Sequence, residues 1–133
     1  MLAMSKRVKR RPVGSFVAFP KAVINSRKYA SLSGVAVKLL LQIAEQFNGK
    51  NNGDLQASWT VMRHKGWKSN ATLNRAKKEL LEKGFVEQTR EGWLCPPRCA
   101  LFALTWLSID DCNGKLDVYA TSVASGYWKD EKP

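Results

Sequence analysis

The strongest periodic signal along the chain runs from Leu32 to Phe47. Leu32, Val35, Ala36, Leu39, Leu40, Ile43, Ala44 and Phe47 recur there at the spacing of one helix face. Ser31 or Ser33 supplies an N-cap and Asn48-Gly49 a stop, so this stretch is expected to be the structural spine. Val37 and Leu41 widen the apolar stripe, which predicts that the helix is covered on more than one side. Upstream, GSFVAFPKAVI (Gly14–Ile24) is rich in β-branched and aromatic residues; it reads as a short extended segment that Pro20 places at an edge or ends.

Downstream, Asn48–Ser58 is a turn-rich connection with a short strand expected at Asp54–Gln56. Ser58 then caps a compact helix from Trp59 to His64 or Lys65 that must end near Gly66. Ser69 or Asn70 provides a second cap. The run from there to Lys83 places Leu73, Ala76, Leu80 and Leu81 on one face before stopping at Gly84. A short helix, a tight glycine-containing turn and a longer helix form a helix-turn-helix pattern.

Phe85–Arg90 alternates like a strand and Glu91-Gly92 supplies a turn. Trp93-Leu94 begins a return strand that Cys95-Pro96-Pro97-Arg98-Cys99 interrupts, and Ala100–Ile109 reads as a further buried strand. The expected fold class is therefore α+β: a winged helix-turn-helix, with a three-helix core and a β-hairpin wing. Residues 1–13 would form a basic flexible arm, 14–112 the winged domain, and 113–133 an extended tail packed on it through Tyr119, Tyr127 and Trp128.

Composition sharpens this picture. The 133 residues suffice for one hydrophobic core and exclude a large multidomain enzyme. The formal net charge of +11 biases partners towards polyanions, nucleic acid before an anionic membrane surface. That charge is localised: +8 in residues 1–30, 0 in 31–57, +5 in 58–90 and −2 in 91–133. It therefore falls on the arm (Lys6, Arg7, Lys9, Arg10, Arg11) and on the two helices and first strand of the central segment. The apolar stretches are too short to span a bilayer, which takes about 20 residues, so no membrane role is expected. Three cysteines, an odd number, fit a reducing compartment, hence an expected cytoplasmic location, nucleoid-associated if the chain is DNA-bound.

On the longer helix of the motif, Ala71, Arg75, Lys78 and Glu82 should point away from the core, with Thr72, Asn74 and Glu79 on the flanks. A major-groove reader is arranged in this way. Asn70, Ala71, Thr72, Asn74 and Arg75 are the expected base-reading residues: Asn74 suits adenine, Arg75 suits guanine, and the small Ala71 permits close approach. Lys65, Lys68, Ser69, Lys77, Lys78 and Arg90 are the expected phosphate contacts, which fix register without reading sequence. The same residues could instead form an ordinary solvated helix face, with Lys78 and Glu82 paired one turn apart.

Three pieces carry a family resemblance: KGW at Lys65–Trp67, KELLEKGFVEQTR at Lys78–Arg90 and ALTW at Ala103–Trp106. With the surrounding order they resemble small winged-helix proteins of proteobacterial phages, plasmids and integrated elements. In layout the chain is similar to the amino-terminal domains of phage and plasmid replication initiators, over roughly residues 16 to 118. The resemblance implies DNA contact from Ser69 to Lys78 and a wing around Arg90; the Cys95–Cys99 insertion departs from it.

The function expected is sequence-specific double-stranded DNA binding without catalysis or cofactor, in transcriptional regulation or replication of a mobile element. Two other readings stay open. One is an interaction module that docks in a larger nucleoprotein complex, its tail offering Tyr127 and Trp128 to a protein partner; the other is a single-strand binder that stacks bases on some of the five tryptophans. A zinc site from Cys95, Cys99, Cys112 and His64 lacks the usual paired-ligand spacing, and Asp110, Asp111 and Asp117 read better as a charged loop than as a metal site. No heptad run specifies a dimer.

Overall fold

The computed structural model describes residues 14–95 and 97–130, so the basic arm expected at residues 1–13 lies outside the described residues. The chain is α+β, with helices first and strands after. The helices are α1 (Lys21–Ile24), α2 (Arg27–Ala30), α3 (Gly34–Glu45), α4 (Trp59–Met62) and α5 (Asn70–Glu82). The strands are β1 (Val86–Arg90), β2 (Trp93–Leu94), β3 (Pro97–Arg98) and β4 (Leu101–Leu104).

The spine forms as its periodicity dictates. Ser33 Oγ accepts the Ala36 N–H at 3.3 Å to cap α3, and Ala36, Leu39, Leu40, Ile43 and Ala44 are buried. Leu32 and Phe47 pack against the core from just outside the helix. Val37 is half-buried and Leu41 stays exposed, so the described residues cover the second side that the wide stripe predicted only in part. The α5 helix packs on α3 through Leu73, Ala76 and Leu80, all fully buried, each leucine contributing about 1.5–3 kcal/mol by its removal from water. It ends at Gly84, whose φ of +80° suits glycine and where a Cβ would collide with the Tyr127 backbone.

Two polar latches fix α5 against the start of α3. Glu79 accepts both the Ser33 hydroxyl (2.6 Å) and the Ser33 N–H (2.7 Å), while Lys83 Nζ donates to the carbonyl (2.9 Å) and hydroxyl (2.8 Å) of Ser31. Burial pushes the Glu79 carboxyl up, but the Ser33 hydrogen bonds and the Lys83 charge outweigh it and hold the group below the usual carboxylate range.

Three expectations are corrected. Gly14–Ile24 is extended only as far as Pro20. There the fixed φ of proline, −64°, leads into the single turn α1, and Ser26 caps α2 one turn later by accepting the Tyr29 N–H. Second, β1 does not pair with Trp93-Leu94. Its partner is β4, antiparallel, with Val86 opposite Leu104, Gln88 opposite Phe102 and Arg90 opposite Leu101 across a bulge. All four β4 residues are buried, whereas both β2 residues are exposed, so burial favours the later segment as the central strand. Trp93-Leu94 instead folds back on Pro97-Arg98 as a small tip beyond the β1–β4 pair.

Third, the buried strand expected over Ala100–Ile109 stops at Leu104. Asn52, fully buried, terminates it by accepting the Leu104 N–H at 2.8 Å and donating to the carbonyls of Leu104, Leu107 and Ser108 at 3.1, 3.3 and 2.9 Å. Nearby, Leu55 bridges to Phe102 where a short strand was expected. Among its described residues the tail has one 3₁₀ turn, at Cys112–Gly114, and it is fastened at several points: Asp117 N–H to Thr89 (2.8 Å), Thr121 N–H to Ile109 (2.9 Å), Gly126 N–H to Thr105 (2.9 Å), and the Arg27 and Lys28 N–H groups to Asp130 (2.9 and 3.0 Å). Trp128 packs against the core and Tyr127 is exposed. No helix among the described residues is long and apolar enough to cross a membrane.

Candidate nucleic-acid interface

The expected base-reading residues come together at one end of α5. Ser69 Oγ accepts the Thr72 N–H at 3.2 Å, which starts the helix at Asn70 and leaves its first turn at the surface. Asn70, Ala71, Asn74, Arg75, Lys78 and Glu82 are exposed; Thr72 is half-buried. The Arg75 guanidinium reaches back one turn to Thr72 Oγ1 at 3.2 Å, so its fork is drawn towards the amino end of the helix rather than trailing along it. Lys78 lies 4.0 Å from Glu82, an exposed pair of little energetic weight that leaves the ammonium accessible.

The turn that delivers this end of α5 is held by two side chains of α3. Lys38 Nζ donates to the Gly66 carbonyl at 2.9 Å and sits 4.9 Å from the centroid of the Trp67 ring. Gln42 donates to the Lys65 carbonyl at 3.0 Å and accepts the Trp67 indole N–H at 2.6 Å. Trp67 is buried, and Gly66 adopts φ +88°, where a Cβ would lie 3.1 Å from Lys38 Nζ. Lys38 and Gln42 were not read from the sequence as site residues. The sequence carried part of the signal: two polar residues four apart in a largely apolar helix.

The expected phosphate contacts divide into two groups. Lys65 and Lys68 are exposed on the turn, Lys65 with Glu45 at 3.4 Å, and Arg63 and His64 are exposed just before them. Arg63 extends the basic edge and was also missed. Lys77, in contrast, is half-buried on the flank of α5, and burial pulls its ammonium below the usual lysine range. Arg90 does not project from β1: its Nε and Nη2 donate to the Cys99 carbonyl at 3.2 and 2.9 Å.

Arg98 is engaged in the same way. It stacks on Trp93 at 3.5 Å from the ring centroid and donates to the Glu91 carbonyl and to Asp117, each at 2.7 Å. The expected wing thus uses its cations as internal braces, with Glu91 and Asp117 beside them. Arg90 and Arg98 are thus engaged within the hairpin, whereas Arg63, Lys65, Lys68, Arg75 and Lys78 are exposed on α5 and the turn before it.

The remaining candidate chemistry is structural. Trp59, Trp106 and Trp128 pack on the core, Trp67 is buried in it, and Arg98 covers the Trp93 face. Asp110 accepts the Asn52 N–H at 2.8 Å. Cys95 is exposed; Cys99 and Cys112 are half-buried. Burial, aided by Asp54 and Asp110, pushes the Cys112 thiol up. Among the described residues no group of three His, Cys, Asp or Glu side chains is placed to hold a metal ion. Comparison with protein-family models, with curated proteins and with solved structures found no match to this chain.

Proposed function

We propose that this chain is a winged helix-turn-helix protein that binds double-stranded DNA with sequence preference and without catalysis. In that reading α4 and α5 are the helix-turn-helix, β1 and β4 with their tip are the wing, and α5 lies in the major groove. The observation that carries it is the exposed amino-terminal half of α5, where Ala71, Asn74 and Arg75 share one face next to Arg63, Lys65 and Lys68, on a turn braced by Lys38 and Gln42. Asn74 would read adenine and Arg75 guanine, each good bidentate contact giving about 1–3 kcal/mol of discrimination. Lys65, Lys68 and Lys78 would neutralise phosphates, joined by the arm residues Lys6, Arg7, Lys9, Arg10 and Arg11.

A role in transcription or replication of a mobile element rests on the resemblance noted from the sequence. Selection of preferred sequences from a pool of random duplexes, followed by a salt titration on the winner, tests the reading. It expects one enriched motif and an affinity that falls steeply with salt. Absence of duplex binding at physiological salt overturns it.

A further inference from the structure

The outer edge of β1 is open, and the hydrogen bonds of its neighbour show why. The Phe102 N–H donates to the Leu55 carbonyl at 2.7 Å and its carbonyl accepts the Leu55 N–H at 3.2 Å, while the Leu104 N–H goes to Asn52 at 2.8 Å. Both residues therefore turn their backbone groups away from β1. Thr105, which donates to the Phe85 carbonyl at 3.2 Å, belongs to the alternate set that faces inward. Val86 and Gln88, opposite Leu104 and Phe102, accordingly aim their N–H and carbonyl groups outward, where no backbone hydrogen bond among the described residues meets them. Val86 is buried and Gln88 exposed, so one donor and one acceptor stand open at Gln88.

A pocket of about 410 Å³ lies beside this edge, lined by Lys28, Leu81, Glu82, Glu87, Gln88 and Tyr127. Its far wall is fixed. The Tyr127 backbone lies so close to Gly84 that a Cβ there would collide with it, the Gly126 N–H donates to the Thr105 carbonyl at 2.9 Å, and Lys28 Nζ donates to the Tyr127 carbonyl at 3.0 Å. That last bond engages the lining cation with the wall. Glu82 has Lys78 at 4.0 Å. Glu87 has no such neighbour: its Oε2 is shut off from solvent without a hydrogen-bond partner, and among the described residues its carboxylate forms no ion pair. A carboxylate oxygen that loses water and gains no partner is unfavourable, and a cation brought to it offsets that loss.

We infer that this edge receives an extended segment of another protein that carries an arginine. One residue of the segment pairs with Gln88 through both main-chain groups, and the adjacent residue, the arginine, falls beside Glu87. Strand addition gains affinity from the main chain and selectivity from the side-chain pocket. Arginine suits the pocket because its planar fork meets a carboxylate through two parallel bonds. The site lies at the carboxyl end of α5, away from Asn70–Arg75, so it does not depend on nucleic acid binding.

The test uses no nucleic acid. The isotope-labelled full chain is titrated with the blocked pentapeptide acetyl-Thr-Val-Arg-Val-Thr-amide and with two altered forms. Citrulline in place of arginine keeps the shape and removes the charge; N-methyl groups on both valines remove the main-chain donors. The parent peptide should shift the amides of Val86–Gln88 and Tyr127, and each altered form should bind about tenfold or more weakly. Glu87→Gln should weaken the parent peptide by about the same factor without lowering the melting temperature. Residues 131–133 lie outside the described residues, and a chain ending at Asp130 should bind as the full chain does. Three results would each overturn the inference. One is the absence of shifts at this edge up to about 10 mM peptide. Another is undiminished binding of either altered peptide, or of the parent peptide to Glu87→Gln. The third is much tighter binding by the chain ending at Asp130, which would make the protein's own terminus the occupant.

Discussion

The amino-terminal half of α5 and the wing around Arg90 were both expected to bring positive charge to DNA, and the structure treats their arginines in opposite ways. Arg75 is exposed, with only the Thr72 hydroxyl at 3.2 Å to steer its guanidinium. Arg90 and Arg98 are drawn into carbonyls, a carboxylate and an indole face. Arg75 and Arg90 both fall in the basic segment 58–90; they differ in whether the chain itself offers oxygen acceptors within reach. A guanidinium has five donors in a fixed fork, and a bulged hairpin with unpaired carbonyls captures them, whereas helix α5 has bonded its carbonyls internally. Charge localised along a sequence therefore becomes a footprint only where the backbone does not use it first.

Substitutions that separate the two regions follow in order of expected effect. Asn52→Ala should be the most damaging, costing about 3 kcal/mol or more in stability, because it leaves the Leu104 N–H and several carbonyls at the root of β4 without partners. Urea denaturation measures it, and a loss below about 1 kcal/mol would mean that water replaces the amide there.

The contrast between arginines comes next. Arg75→Ala should cost about 1–3 kcal/mol in binding to the preferred duplex while leaving stability within about 0.5 kcal/mol of wild type. Arg90→Ala should do the reverse, lowering stability by about 1–2 kcal/mol with duplex preference intact. Gln42→Ala should lower stability by about 1–2 kcal/mol, through the loss of two hydrogen bonds that hold the turn before α5, and should speed amide exchange around Trp67.

The smallest effect concerns pH. The Glu79 carboxyl is held below its ordinary range in the folded chain, so its contribution is present above the unfolded-state value and is lost as pH falls through the folded one. Replacing Glu79 with Gln should remove that part of the acid slope, below about 1 kcal/mol, without altering the slope near neutrality.

Some of this was legible in the sequence because the deciding forces are local. The 3.6-residue period, Ser33 and Ser69 as caps and Gly84 as a stop belong to α3 and α5 themselves, and their positions emerge within a residue or two. Other features depend on long-range choices. Trp93-Leu94 was the expected return strand for β1, and what selects Leu101–Leu104 instead is burial beneath the helices and the amide of Asn52, roughly fifty residues upstream in a turn-rich stretch. The one-turn helices α1 and α2 are too short to show a period. In the candidate site, the exposed face of α5 followed from helix geometry. The Lys38 and Gln42 brace required knowing that the Lys65–Trp67 turn lies over α3, and the engagement of Arg90 required knowing where Cys99 sits.

The central claim is that α5 meets nucleic acid and the β2–β3 tip does not. Amide chemical-shift mapping of the full chain during titration with its selected duplex tests this most directly. The account predicts the largest perturbations from Ser69 to Lys78 and on the Arg63–Lys68 turn, with Trp93, Leu94 and Arg98 close to their unbound positions. Perturbation concentrated at the tip, with α5 unmoved, would contradict it.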